Sequence, residues 1–237
     1  MKQILTCLLL VVGFISVEAQ DVISEGQLTM ELTEVTADDP AVEQQMSMMK
    51  GMTMNVHFND NGSLTQMDMM GGMIKSTSLS NTDGSGKLLM DMMGNKMYIP
   101  ITKEEAEKAA EAGDEVWENT TISYDESDTK EIQGVKCHKM TIAPKEGTDG
   151  IMSMSGYVTK AIKANANIMQ IDTKKFDGFP MELTIGAAGG KMTFTATKLE
   201  KSVDASVFDL DTGGYKEMTF QEFMDMMGQM GGGGFGF

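Results

Sequence analysis

The sequence predicts an α+β protein that is mainly β: a curved antiparallel sheet or half-open β-barrel with two or three helices packed against it. Three observations predict it. Apolar and polar residues alternate over many short stretches, the period of a strand with one buried face. Polar, glycine-containing turns separate these stretches closely enough for hairpins. Two stretches instead open with a Thr-x-x-Glu capping box, Thr102 to Glu105 and Thr219 to Glu222, and read as helices.

In chain order, Gln27 to Val35 reads as the first strand, with Leu28, Met30 and Leu32 on one side. The acidic stretch Thr36 to Gln45 holds Asp39-Pro40 and reads as a turn or short helix. Gly51 to Phe58 puts Met52, Met54, Val56 and Phe58 on one face. Asn59-Asp60-Asn61-Gly62 is the strongest hairpin signal, and Leu64 to Met70 is the return strand. Met73 to Ser80, Lys87 to Met93 and Lys96 to Ile101 continue an antiparallel meander. Lys103 to Ala112 is rich in Ala, Glu and Lys and stops at Gly113, as a helix. Strands resume at Thr120 to Tyr124, Val135 to Ala143 and Ile151 to Thr159. Ile162 to Ile171 reads as a helix covering one sheet face. Met181 to Ile185 and Met192 to Leu199 form a further hairpin, and Val203 to Phe208 is a short segment before an Asp-rich turn. The last helix starts at Thr219, carries Phe220, Phe223, Met224 and Met227 on one face, and ends at Gly228.

Composition narrows the function. The 237 residues carry 35 acidic and 19 basic groups, a net charge of -16, and every base is lysine. Such a surface repels phosphate backbones and anionic bilayers, so nucleic acid is excluded as a general partner. Residues 1–19 read as a signal peptide: Lys2 precedes the apolar run Ile4 to Val12, and Val17 and Ala19 are small residues before Gln20. A periplasmic or secreted location follows, with no integral membrane segment after cleavage. Residues 20–228 read as a single domain and 229–237 as a disordered glycine-rich tail. Cys7 leaves with the signal, and Cys137 remains as a lone buried thiol.

Methionine is the anomaly, with 26 residues against 6% aromatics. Met-Asp-Met-Met-Gly occurs at Met67 to Gly71, Met90 to Gly94 and Met224 to Gly228. The first two copies fall on strands and the third on a helix. Soft thioethers suit the lining of a core or of a cavity for a flexible apolar ligand. The candidate lining is Met52, Met54, Val56, Phe58, Met67 and Met69, closed by the helix face of Phe220, Phe223 and Met227. Thioethers also select Cu(I), and Met67, Met69, Met90 and Met92 with His57 form the alternative metal set. Cys137 and His138 are adjacent on a strand and face opposite sides, so they do not make a catalytic pair. No phosphate loop or calcium loop occurs. The expectation is therefore a protein that is not an enzyme and needs no cofactor.

Three stretches carry a resemblance: Lys130-Glu131-Ile132-Gln133-Gly134-Val135-Lys136-Cys137, Phe176-Asp177-Gly178-Phe179-Pro180-Met181-Glu182, and Val203 to Phe208 followed by Gly213-Gly214-Tyr215-Lys216-Glu217-Met218. With the export signal and the methionine-rich front half, the chain resembles secreted Bacteroidota proteins of unknown function that carry a DUF4412-type domain. That family is similar in fold to periplasmic lipoprotein carriers, which implies a half-open β-barrel with helices over an apolar cavity able to hold an acyl chain. The carriers couple lid closure to cargo through arginine, and this chain has none. The expected function is binding of a lipid or other hydrophobic ligand. The alternatives are copper buffering through methionine, and an envelope structural or interaction protein without ligand.

Overall fold

The structure is a computed structural model that describes residues 22–148, 153–164, 166–168, 171–187 and 189–229; at positions 70, 112, 113, 115, 116, 167, 171, 172, 187 and 227 the description stops at the backbone. The expected signal peptide and residues 230–237 of the expected tail lie outside the described residues.

Fourteen strands and three α-helices are described: β1 Gly26–Ala37, α1 Pro40–Ser47, β2 Thr53–Asn59, β3 Gly62–Met69, β4 Ile74–Asn81, β5 Gly86–Met92, β6 Asn95–Ile101, α2 Lys103–Glu118, β7 Thr120–Ile132, β8 Val135–Pro144, β9 Met154–Thr159, β10 Asn167–Ile168, β11 Ile171–Asp172, β12 Phe179–Ala187, β13 Gly190–Glu200, β14 Lys216–Glu217 and α3 Phe220–Gln229. Twelve strands form one sheet in the order β14-β6-β5-β4-β3-β2-β1-β13-β12-β9-β8-β7. All neighbours are antiparallel except β14, which runs parallel to β6. The sheet is curved and does not close, since β7 and β14 are its two edges. β1 joins two meanders, pairing with β2 on one side and β13 on the other. Register shifts on the β13 side, at Thr29/Met30 and Leu32/Glu34, are the bulges that bend a sheet at such a junction.

The turns follow from residue chemistry. Asp60 and Asn61 make the two-residue connection after β2, with Asn59 Oδ1 accepting from Asn61 N at 2.8 Å. Gly62 is required there: its φ is 153°, and a Cβ would run into the Ser80 carbonyl oxygen of β4. Met93-Gly94 and Gln133-Gly134 each place two successive residues at positive φ, the backbone of a tight hairpin turn.

Cross-strand register fixes the faces. Leu28 and Met30 of β1, Met54, Val56 and Phe58 of β2, and Met67 and Met69 of β3 share the inner face. The same face continues through Ile74, Ser76, Ser78 and Ser80 of β4, Leu88, Met90 and Met92 of β5, and Met97, Ile99 and Ile101 of β6. The apolar residues divide into two clusters. The larger contains Leu28, Met54, Val56, Phe58, Met140, Ile142, Val158, Phe179, Leu183 and Phe194, all at most 1% exposed. Each such side chain contributes about 1.5–3 kcal/mol of burial. The smaller holds Met97, Ile99 and Phe223, with α3 laid on the end of the sheet at β5 and β6. Between the two lie the inner-face hydroxyls of β3 and β4.

Three elements depart from expectation. The described residues of Ile162 to Ile171 are not helical. Ile162 bridges Ile23 in parallel, and β10 pairs with β11. The reason was present in the residues: Ile162, Ala164, Ala166 and Ile168 recur every second position, and three of them are fully buried. α2 runs through Gly113 to Glu118, because Trp117 packs on Phe176 and Asp114 pairs with Lys175. β7 extends to Ile132, well beyond Tyr124, through a polar stretch on the edge of the sheet.

Candidate functional site

The segment from Lys160 to Phe179 leaves β9 and returns as β12, and local bonds hold its course. Ile23 donates its N–H to the Ala161 carbonyl at 2.8 Å, and Lys163 donates to the Ile23 carbonyl at 2.9 Å. Ala166 N donates to Thr173 Oγ1 at 2.9 Å, and Thr173 N donates to the Ala166 carbonyl at 3.0 Å. The Tyr124 hydroxyl accepts from Asp177 N at 2.7 Å. Gly178 has a φ of 136° and sits against Thr159 and Val158, which lets the chain re-enter the sheet.

The loop so held encloses a depression of about 410 Å³ that is open to solvent. Its apolar wall is Ile162, Ala164, Phe176 and Phe179, and Lys160, Lys163 and Lys174 stand on its rim. Phe179 meets Phe58 in a tilted contact at 5.8 Å, and Phe176 meets Trp117 edge-on at 5.9 Å. The depression is therefore backed directly by the larger cluster. Lys160 lies 3.1 Å from both Glu126 and Asp177, and these carboxylates hold its ammonium group above the ordinary lysine pKa. Thr173 and Asp177 line the depression too, so its wall carries three ammonium groups and one carboxylate on a chain of net charge -16.

The residues proposed from sequence are divided by the fold. Met52, Met54, Val56 and Phe58 lie in the larger cluster, with Met67 and Met69 half-buried against it. Phe223 and Phe220 belong to the smaller one, and the Met227 side chain lies outside the described residues. The two groups do not meet in one cluster. Met67 also borders a second open depression of about 210 Å³, whose other walls are polar or charged: Asn55, Gln66, Asp68, Lys75, Ser76 and Thr77.

The alternative metal set is divided too. His57 pairs with Leu64 on the outer face, opposite to Met67 and Met69. Met67 and Met90 flank Ser76, and Met69 and Met92 flank Ile74, so each pair spans two strand spacings, about 9–10 Å. Among the described residues no group of three His, Cys, Asp or Glu side chains could hold a metal ion. Cys137 is fully buried, and burial raises its thiol pKa to about 11, so it is neither a ready nucleophile nor a ready ligand. Burial lowers the His57 pKa, against a side-chain hydrogen bond with Gln66 that raises it.

The lysine rim and the Phe176/Phe179 wall were not proposed from sequence. Phe176-Asp177-Gly178-Phe179-Pro180 reads only as a turn. The lysines are spread over fifteen residues, from Lys160 to Lys174, and only the course of the chain gathers them.

No family model matches the chain, and no curated protein matches it significantly. Among solved structures it is similar to the lipoprotein LppX of Mycobacterium tuberculosis, at 8% identity and a TM-score of 0.32 over 77% of this chain and 89% of that one. A domain assigned to outer membrane lipoprotein sorting in Vibrio parahaemolyticus shows 10% identity and a TM-score of 0.34 over 81% and 92%. LprF of Mycobacterium bovis shows 10% identity and a TM-score of 0.32 over 76% and 88%. At these values the fold rests on the strand order given above. No helix among the described residues is long and apolar enough to cross a membrane.

Proposed function

We propose that the protein is a non-catalytic, exported binder of a hydrophobic ligand with an anionic head. One observation carries the reading: an open hollow of about 410 Å³ has Phe176 and Phe179 in its lining together with three lysines and one aspartate, on a chain of net charge -16. That volume is within the range of about 300–1,000 Å³ typical of small-molecule sites. The apolar part of the ligand lies on the floor formed by Ile162, Ala164, Phe176 and Phe179, where Ala164 and Phe176 carry most of the apolar surface that solvent reaches. Its head pairs with Lys163 and Lys174, at the solvent edge where charge need not be desolvated. Met54, Val56 and Phe58 act as the packed support behind Phe179.

Trp117 is the single tryptophan and touches Phe176, so its fluorescence reports on occupancy. Titration with palmitate is expected to give a saturable change. Replacing both Lys163 and Lys174 by glutamate is expected to weaken binding by about tenfold, or about 1.4 kcal/mol. Vesicles containing phosphatidylglycerol separate a free fatty acid from a phospholipid as the source of the head. No change with either probe contradicts the reading.

A further inference from the structure

The hydrophobic-ligand reading makes no use of the repeated Met-Asp-Met-Met-Gly segments, yet two of the three copies meet in one place. Met90 and Met92 of the second copy and Met224 and Met226 of the third pack in the smaller cluster, with Met218 beside them. Met97 lies directly across from Met90. Met218 is fixed there by its N–H, which donates to the Tyr98 carbonyl at 2.9 Å. These side chains come from two regions far apart in sequence: β5, and the stretch from the residue after β14 into α3.

The character of this cluster differs from the rest of the core. Among the described residues the larger cluster also holds methionine, Met30, Met54, Met140 and Met181 included, but as a minority of its side chains, whereas methionine supplies six of the eleven in the smaller one. In the smaller one only Met97, Ile99 and Phe223 are buried, and Met90, Met92, Met218, Met224 and Met226 stay half-buried. Two further thioethers lie at an exposed turn. Met93 and Met73, 83% and 47% exposed, are joined by a bond of 2.8 Å from the Met93 N–H to the Met73 carbonyl, at the end of the sheet that holds Met92. Thioethers are thus present both at this exposed turn and in the half-buried cluster, as adaptable, uncharged, soft donors. Thioethers of this kind select a soft monovalent cation over zinc, calcium or magnesium. The chain's net charge of -16 raises the local concentration of any cation.

We propose that Met90, Met92, Met218 and Met224 form a binding site for a soft cation of the Cu(I) class, between α3 and strands β5 and β6. No redox step is involved: the ion binds as Cu(I) and leaves as Cu(I). Thioether sulfur carries no proton at neutral pH, so binding by this site releases none. A site built on His57 or Cys137 would release protons.

The test is an anaerobic titration of the full chain with Cu(I) in competition with bicinchoninate, at about pH 5.5 and about pH 7.5. The expected result is one ion per chain, with an affinity that changes less than about twofold between the two pH values. The double variant Met92→Leu/Met224→Leu keeps apolar volume and removes two sulfurs. It is expected to bind at least about tenfold more weakly, whereas Met52→Leu/Met54→Leu, in the larger cluster, is expected to match the parent. X-ray absorption of the loaded parent is expected to show sulfur alone around the metal. Failure to compete with bicinchoninate overturns the proposal. So does affinity falling by about tenfold per pH unit, equal loss in both double variants, or nitrogen in the metal shell.

Discussion

His57 shows what a single residue contributes. Its ring is buried on the outer face of β2, and among the described residues its Nδ1 has no hydrogen-bond partner. Burial outweighs the Gln66 hydrogen bond and lowers its pKa below the ordinary 6.5. The folded protein therefore resists a proton that the unfolded chain accepts. The contribution is complete above the unfolded value of 6.5 and is lost as pH falls through the window down to the lower, folded value. Urea midpoints are expected to drop between about pH 7 and pH 5.5, and His57→Gln is expected to flatten that drop. An equal slope in both proteins would remove His57 as the cause. The carboxylates act in a lower range: hydrogen bonds hold Asp83, Asp125 and Asp204 below the ordinary 3.8, so their contribution fades only in stronger acid. Burial of Cys137 was legible from its loneliness in an exported chain. The gathering of Lys160, Lys163 and Lys174 was not, because charge at the rim of a hollow leaves no period in the sequence.

Among the elements, helix starts were the most legible. Thr102 and Glu105 exchange bonds as expected: Thr102 N donates to Glu105 Oε2 at 2.8 Å, and Glu105 N donates to Thr102 Oγ1 at 3.2 Å. Thr219 and Glu222 repeat the arrangement at 2.9 and 3.2 Å. These backbone bonds lower the pKa of both glutamates. Thr219→Ala is expected to cost about 1 kcal/mol in chemical denaturation, the typical cost of a lost cap. A change indistinguishable from zero would mean that packing of Phe223 alone holds α3. Strands with one buried face were equally plain, as in Met54-Val56-Phe58. The failures occurred where that contrast vanishes. The polar edge of β7 has no buried partner to impose a period. Ile162 to Ile168 has the strand period, but its small alanines also suit a helix. Glycine at 113 reads as a stop, and the contacts of Trp117 and Asp114 carry the helix past it.

At the scale of the whole molecule, two meanders share β1, and the inner face they form is not one continuous core. Leu, Ile, Val, Phe and Met fill the centre, while Met97, Ile99 and Phe223 fill the β5–β6 end under α3 with half-buried methionines around them. Serines 76, 78 and 80 of β4 run between them on the same face. Their alternation with Lys75, Thr77 and Leu79 shows a strand, but nothing in it says that the core divides there. Sequence periodicity thus specified which face turns inward, and left open whether that face would be filled, hollow or split. The hollow lies instead at the loop between β9 and β12, where Phe58 and Phe179 join it to the larger cluster.

Native mass spectrometry of the protein isolated from its own cells, followed by organic extraction, tests the hydrophobic-ligand assignment most directly. The account predicts an acidic amphiphile bound in fixed stoichiometry and lost from the variant with Lys163 and Lys174 both changed to glutamate. A chain that emerges at its apo mass and takes up no acidic lipid when supplied with one would contradict it.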